Sequence, residues 1–370
     1  MSIVQNPVER RVATLKIRLS GYISFMARRV ATCEGFVKGF YVGIYIGHHG
    51  RRAIVMSDTS QTHWNLDHIV SGLHAARIDW RGPRGRLRDD SGDREFPSQE
   101  SLRAIVKQLC GALFPMRLGP IDLRAEVEDF YVGHTIGAAL DALLHQVCLE
   151  LHHIGRHQTE AESEDSLHAR AVQIVRQFGA ELPLVRRALD LDVMAAYQGD
   201  PAAHSVDEVL LCYPGVSAMI HHRLASVLYR LGAPMLARIV AEIAHADTGI
   251  DIHPGATIGK SFFIDHGTGV VIGETAIIGD RVRLYQMVTL GAKRFPPGEN
   301  GELKKGLPRH PIIEDDVVIY AGATILGRVT IGRGSVIGGN VWLTRSVPAE
   351  SNVTQASSVS DMPNCGLGSL

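Results

Sequence analysis

The sequence predicts an α+β protein: an all-α N-terminal region followed by a left-handed parallel β-helix built on a hexapeptide repeat. Three observations predict it. Aliphatic residues recur every six positions from Asp251 to about residue 345. Apolar residues between Trp64 and Met235 recur at helical spacing. Glycine is abundant at 38 residues while aromatics are only 6%, a mix that suits a turn-rich repetitive fold better than an aromatic-filled sandwich.

The ladder carries the most weight. Ile252, Ile258, Ile264 and Val270 are six apart. After a slip of two residues, Ile272, Ile278, Leu284 and Leu290 continue it. After a longer break come Ile313, Ile319, Ile325, Ile331, Ile337 and Leu343. A period of six fits neither an amphipathic helix nor an alternating strand. It fits a three-sided coil with one short strand per side, each aliphatic pointing inward and stacking on its equivalent in the next turn. No single coil buries its own apolar face, so stability comes from stacking. The break, GAKRFPPGENGELKKGLPRHPI, is rich in Gly, Pro and charge and is expected to loop out as the wall of a binding site.

The helical signals come next. Leu66, Ile69, Val70 and Leu73 form one stripe; Leu102, Ile105, Val106, Leu109 and Leu113 form another, with Ser98 as its cap. Ile136, Leu140, Leu143, Leu144, Val147 and Leu151 form a third. Val216, Ile220, Leu224, Val227, Leu228 and Leu231 form a fourth, stopped by Gly232, and Pro234 suits the start of one more helix. The charged stretches Arg81 to Pro97 and His157 to Ser166 read as solvated linkers. The expected organisation is a basic extension over 1–60, a helical domain over 61–248, the β-helix over 249–348 with a loop at 292–311, and a tail over 349–370.

Composition bounds the partners. The chain has 370 residues, 45% of them hydrophobic, and a formal net charge of -1, which argues against a nucleic-acid binder driven by bulk positive charge. No run of eighteen apolar residues is present, so no membrane span is expected. Cys33, Cys110, Cys148, Cys212 and Cys365 are odd in number and form no CxxC pair, which fits a reducing cytoplasm rather than a disulfide framework. The first 55 residues carry nine basic and two acidic residues, a local charge of +7. A targeting peptide is one reading; an over-long start with Met56 opening the globular part is the other, favoured because no apolar core precedes a small-residue cleavage site.

Histidine is the side chain whose ordinary pKa suits accepting a hydroxyl proton near neutrality. His266 is the candidate base, placed in DHGTG where the ladder slips and a turn exposes side chains. Asp251 either orients that imidazole from a neighbouring coil or merely caps the first coil. Asp200 has a turn-residue reading, Arg309 a loop-solvation reading, and His253 belongs to a coil corner. Lys293, Arg294, Lys304 and Lys305 fit the phosphates of an anionic ligand and simple solvation equally well.

DIHPGATIGKSFFIDHGTGVVIGETAIIGDRVRLYQMVTLGAK at 251–293, the later RHP, the YAGATILGRVTIGRGSVIGG coils and GDPAA at Gly199–Ala203 together resemble serine acetyltransferases, over roughly residues 190–345. The resemblance implies a helical N-terminal domain followed by a β-helix, trimers formed through the β-helices, and pairing of trimers in many members. It implies transfer of acetyl from acetyl-CoA, a co-substrate and not a tightly bound cofactor, to L-serine. It matches His266 to the catalytic base and Asp251 to its partner. Asp200 and Asp265 match the carboxylates that hold the substrate amine. Arg309 and His310 match the residues that hold its carboxylate. Gly291, Ala321, Gly322, Gly338 and Gly339 lie in the coils where the family binds CoA. No metal is implied. Many members end in isoleucine and insert that tail into O-acetylserine sulfhydrylase; this chain ends in Leu370, similar but not the same. Feedback inhibition by cysteine is a further implication. The rival readings are a β-helix acetyltransferase of homoserine, a sugar or an antibiotic, a γ-carbonic-anhydrase-like enzyme needing three zinc-binding histidines, and a non-enzymatic scaffold.

Overall fold

The computed structural model describes residues 40–46, 52–58, 64–81, 96–155, 162–294, 302–304 and 306–355. The chain divides into two compact units, Met1–Gly92 and Asp93–Leu370. In the first, strands β1 (Phe40–Ile46) and β2 (Arg52–Asp58) pair antiparallel with Val42 opposite Met56, and helix α1 spans Leu66–Arg81. The sequence reading assigned no strands here, and it places Met56 at a start where the structure has it inside β2. The stripe Leu66, Ile69, Val70, Leu73 lies on a helix as expected, yet all four side chains face solvent.

The second unit begins with helices. Helix α2 (Gln99–Leu113) starts at Ser98, whose hydroxyl accepts from the Ser101 N–H, and buries the expected stripe. A short turn, α3 (Pro115–Leu118), leads to α4 (Glu128–Gly155). The structure then has one 36-residue helix, α5 (Glu164–Gly199), where no apolar stripe is read from the sequence. The expected linker at His157–Ser166 is therefore shorter; 156–161 lie outside the described residues, and Ser163 caps α5 with Glu164 and Asp165 in its first turn. Those charges complement the helix dipole besides facing water. Helices α6 (Val206–Cys212), α7 (Pro214–Arg230) and α8 (Pro234–Thr248) follow. Pro234 does open a helix. The start of α8 has no cap of its own; the fully buried Glu150 of α4 accepts from the Met235 and Leu236 N–H groups instead.

From Asp251 the chain winds into the left-handed three-sided coil. The first face stacks Asp251–Ile252, Val271–Ile272, Thr289–Gly291, Thr324–Leu326 and Trp342–Leu343. The second stacks Thr257–Ile258, Ile277–Ile278, Ile312–Ile313 and Thr330–Ile331, and the third Phe263–Ile264, Arg283–Leu284, Val318–Ile319, Val336–Ile337 and Asn352–Val353. All pairs within these faces are parallel and in register. The ladder aliphatics form the buried core. Thr289 pairs with Thr324, so the segment between Gly291 and Ile312 leaves the coil and the coil resumes after it. Of this segment, 295–301 and 305 lie outside the described residues. The last strand pairs Asn352 with Val336.

The two parts of this unit are welded by one ion pair. Asp192 on α5 takes two hydrogen bonds from Arg223 on α7, at 2.9 and 3.0 Å, and one from the Phe262 N–H. Arg223 also donates to the Ile258 and Gly259 carbonyls. Gly215 at the start of α7 packs on the Ile264 backbone so closely that any Cβ would run into the carbonyl oxygen. No helix of the described residues is long and apolar enough to cross a membrane. Cys110, Cys148 and Cys212 are free thiols.

Removing one partner of such a buried pair leaves an uncompensated charge. Arg223→Ala is expected to lower unfolding free energy by about 3–5 kcal/mol, read from urea titration by circular dichroism. An unchanged midpoint would refute the weld.

Candidate functional site

Two corners of the coil collect the candidate residues. The first follows the third face, at 265–270. It has six residues where the next coil has four, at 285–288, so the two-residue slip in the ladder is a widened corner. His266, Gly267 and Gly269 there have φ of 59°, 87° and 79°. This geometry turns the His266 side chain outward, leaving it 70% exposed, with Nδ1 3.8 Å from Asp265 Oδ1. Left-handed residues recur at equivalent places, including Ser261, Arg281, Met287, Asp316 and Asn340. Positive φ is therefore a property of the coil's corners and does not itself mark the site.

The end of α5 and the start of α7 meet this corner. Asp200 caps α5, accepts from the Ala202 N–H at 2.8 Å and from the Tyr213 hydroxyl. The tyrosine hydrogen bond first, then the amide, then the nearby Arg283 and His266, hold the Asp200 carboxyl below its usual range against a small cost of burial. The same bond pushes Tyr213 up to about 12. Asp265, buried, is paired with Arg283 at 2.8 Å. The Arg283 guanidinium lies over the rings of Phe263 and Tyr285, at 4.9 and 4.8 Å.

The second corner lies between the first and second faces. Thr275 Oγ1 accepts from the backbone N–H groups of Arg309 and His310, at 2.9 and 3.1 Å. Its hydroxyl proton is then free for His310 Nδ1, 2.9 Å away, which also accepts from the Thr275 N–H. Two donors on Nδ1 fix His310 as the neutral tautomer carrying its proton on Nε2. Burial first, then the Arg309 charge, push His310 down to about 4. The ring packs against Gly273, where any Cβ would collide with it. Arg309 donates to Glu274 at 2.6 Å, and Tyr229 of α7 donates to the other Glu274 oxygen at 2.9 Å. His253 stands edge-on to Tyr229, accepts from the Gly255 N–H and is pushed down to about 4, chiefly by burial.

Asp251 opens the first face. Its carboxylate lies within 4.8 Å of ligand atoms of Glu242 and His245, and no hydrogen bond joins it to His266 among the described residues. Gly267 packs on Ile250, so His266 and Asp251 flank one contact. Ala321, Gly322, Gly338 and Gly339 stack on the His266 corner in later coils: the Gly322 N–H reaches the Gln286 carbonyl, and the Asn340 N–H reaches Ala321. Gly291 stands apart, at the far end of the first face. Lys293, Arg294 and Lys304 are exposed, and Lys305 lies outside the described residues.

Residues 310–345 match the family model described as "Bacterial transferase hexapeptide (six repeats)". The chain is 54% identical over 307 residues, 82% of its length and 95% of the relative's, to the "Serine acetyltransferase, plasmid" of Synechococcus elongatus. The chain belongs to the serine acetyltransferase family. It is also 46% identical over 167 residues, 45% of this chain and 73% of the other, to the serine acetyltransferase of Bacillus subtilis. Among solved structures, Entamoeba histolytica serine acetyltransferase 1 in complex with L-cysteine superposes with a TM-score of 0.59 at 34% identity, over 78% of this chain and 97% of that one.

For a serine acetyltransferase family member, sequence reasoning missed Tyr213, Tyr229, Glu274, Thr275 and Arg283. Glu274 and Thr275 lie inside the 251–293 stretch that carries the resemblance but have no role assigned there; Tyr229 comes from a helix and Tyr213 from the junction of two, and neither leaves a motif. Within one chain, His253, His266 and His310 do not converge on a common point among the described residues. His266 occupies a different corner from His253 and His310, and the latter two each have Nδ1 occupied as an acceptor.

Acid sensitivity follows from these histidines. His253 and His310 are held near 4, and fully buried His222 near 3 by burial, while unfolded histidines protonate near 6.5. The unfolded chain thus binds protons first. Stability is fully present above about pH 6.5 and is lost as pH falls toward 4. His222→Leu should flatten that slope by up to one proton, about 1.4 kcal/mol per pH unit, in thermal unfolding measured across pH. An unaltered slope would remove His222 from the account.

Proposed function

We propose that this chain is a serine O-acetyltransferase that moves the acetyl group of acetyl-CoA to the L-serine hydroxyl, giving O-acetylserine for cysteine biosynthesis. The observation that carries the reading is the division of charge between the two corners. One presents Asp200 and Asp265 beside an exposed imidazole, suited to an ammonium group next to a hydroxyl. The other presents Arg309 and a neutral His310, suited to a carboxylate. A zwitterionic amino alcohol needs both; a sugar needs neither.

In this reading His266 accepts the serine hydroxyl proton as the oxygen attacks the thioester carbonyl carbon. The tetrahedral intermediate collapses, the C–S bond breaks, and the imidazolium returns the proton to the CoA sulfur. Asp251 orients the ring from the other side of the Gly267–Ile250 contact. Acetyl-CoA lies along the column of small residues Ala321, Gly322, Gly338 and Gly339, its thioester toward His266, with Gly291 at the far wall. Cysteine, differing from serine at one atom, occupies the same charged groups, which motivates feedback inhibition.

The two half-sites stand on different corners of one prism, so a second copy supplies the missing half. We therefore read the enzyme as a homotrimer, or a dimer of trimers, with each site shared between neighbours. The last fifteen residues of the C-terminal tail, 356–370, lie outside the described residues and are the candidate contact for O-acetylserine sulfhydrylase.

Thiol release from acetyl-CoA, measured against L-serine, homoserine, threonine and sugars, tests this. L-serine is expected to be preferred. His266→Ala should lose about 10²–10⁴-fold in turnover, and retained turnover would exclude it as the base. Arg309→Ala should raise the serine KM about tenfold or more, at the scale of a charged hydrogen bond. An unchanged KM would favour a different acceptor. Mixing the two weak variants should restore activity, up to about a quarter of wild type by random assortment in a ring. No recovery after subunit exchange would place both halves within one chain.

A further inference from the structure

The guanidinium proposed to grip the carboxylate is itself held. Arg309 Nη2 lies 2.6 Å from Glu274 Oε2, and Arg309 Nη1 lies 3.3 Å from the Leu307 carbonyl. Its backbone N–H is bound by Thr275, the residue after Glu274. Glu274 is anchored in turn by the Tyr229 hydroxyl, at 2.9 Å. Tyr229 lies on α7, six residues after Arg223, which ties that helix to the first coil. Both charged side chains are about one quarter exposed, 25% for Arg309 and 23% for Glu274, so a ligand reaches them from solvent.

An unheld arginine loses rotamer freedom when it is fixed. Pinning it in the empty site removes much of that cost from ligand binding. Glu274 also sets the local charge. Arg328 donates to the Thr275 and His310 carbonyls beside it, so Arg309, Arg328 and Glu274 together leave one net positive charge for an anionic group, with His310 neutral.

We infer that Glu274, braced by Tyr229, is the positioning residue for Arg309, and that this relay from helix α7 sets how tightly the site holds an acceptor that bears a carboxylate. The inference rests on the reading of Arg309 as the carboxylate grip. Glu274 touches no reacting atom, so its removal should appear in the acceptor KM and not in kcat.

Steady-state kinetics on the full chain tests it. Glu274→Ala should raise the serine KM about tenfold, the scale of one charge-assisted hydrogen bond. The acetyl-CoA KM and kcat should stay within about twofold, which is the ordinary scatter of a near-neutral change of a few tenths of a kcal/mol. Glu274→Gln, which keeps an acceptor but loses the charge, should fall between. Tyr229→Phe should raise the serine KM about two- to fivefold, as for one neutral hydrogen bond. Glu274→Ala added to Arg309→Ala should raise the KM no further.

A Glu274→Ala effect that persists undiminished without Arg309 would overturn the relay. So would an effect shared equally by kcat and the acetyl-CoA KM, or an unchanged serine KM. If Glu274→Ala lowers the thermal midpoint, Glu274→Gln decides, because it preserves side-chain volume. An Arg309→Ala enzyme with unchanged serine KM defeats the underlying reading. A raised KM for Arg309→Ala beside an unchanged one for Glu274→Ala defeats only the relay.

Discussion

The site depends on the buried pair of Asp192 and Arg223. A β-helix coil is rigid but featureless at its lower end, and the groups that charge the site come from helices. Arg223 closes two helices onto the first coil through its bonds to Asp192, Ile258 and Gly259, and Asp192 completes the clamp through the Phe262 N–H. A pair like this is poor evidence for stability, because desolvation consumes most of its Coulomb energy. Its value is positional. With α5 and α7 fixed on the coil, Asp200 and Tyr213 fall beside Asp265 at one corner, and Tyr229 falls beside Glu274 at another. A hydrophobic contact of equal area tolerates sliding; five directed hydrogen bonds do not.

The coil contributes a second constraint. Its faces are two-residue strands whose inward positions are committed to the core, so functional side chains have only the corners and the outer faces to occupy. The corners turn by left-handed residues, at about 1–2 kcal/mol for each non-glycine. Stacking repays that cost, and the side chains there project outward. Chemistry at the edge of a prism follows from this, and so does the distance between the half-sites. Two corners of one prism are separated by a filled face. A ligand that needs groups from both is therefore not served by one corner alone.

Much of this was legible in the sequence because the coil is periodic. Ile252, Ile272 and Leu290 announce one face by spacing alone, and the slip after Val270 marks the widened corner at His266 before any coordinates. The α4 and α7 stripes were legible for the same reason, since they bury one face of a helix. Helix α5 was not. It carries Pro183 in its interior, and its buried residues include Asp192, a charge that no hydrophobic pattern counts. Glu150 was invisible likewise, because it satisfies the start of a helix 86 residues away. The hairpin β1–β2 was not legible either: FYVGIYI and RAIVMSD lack a period-two alternation, and the stretch reads as an over-long start ahead of Met56. Asp200 and Arg309 were found through motif resemblance, but their holders Tyr213, Glu274 and Tyr229 were not, since a hydrogen-bond partner supplied by another element leaves no local signature.

The choice of holders has a physical logic. Tyr213 grips Asp200 and Tyr229 grips Glu274 through neutral hydroxyls. A tyrosine restrains a carboxylate's position and lowers its pKa without cancelling its charge. Asp265 is treated differently, since Arg283 meets it with a full positive charge. Within the first corner the negative charge still available to an ammonium group therefore resides mainly on Asp200, while Asp265 supplies a fixed acceptor edge. In the second corner the order is reversed: the anion Glu274 is the internal partner, and the cations Arg309 and Arg328 leave the surplus. Each corner thus keeps one unit of charge opposite to the group it is suited to bind and spends the rest on holding that unit in place.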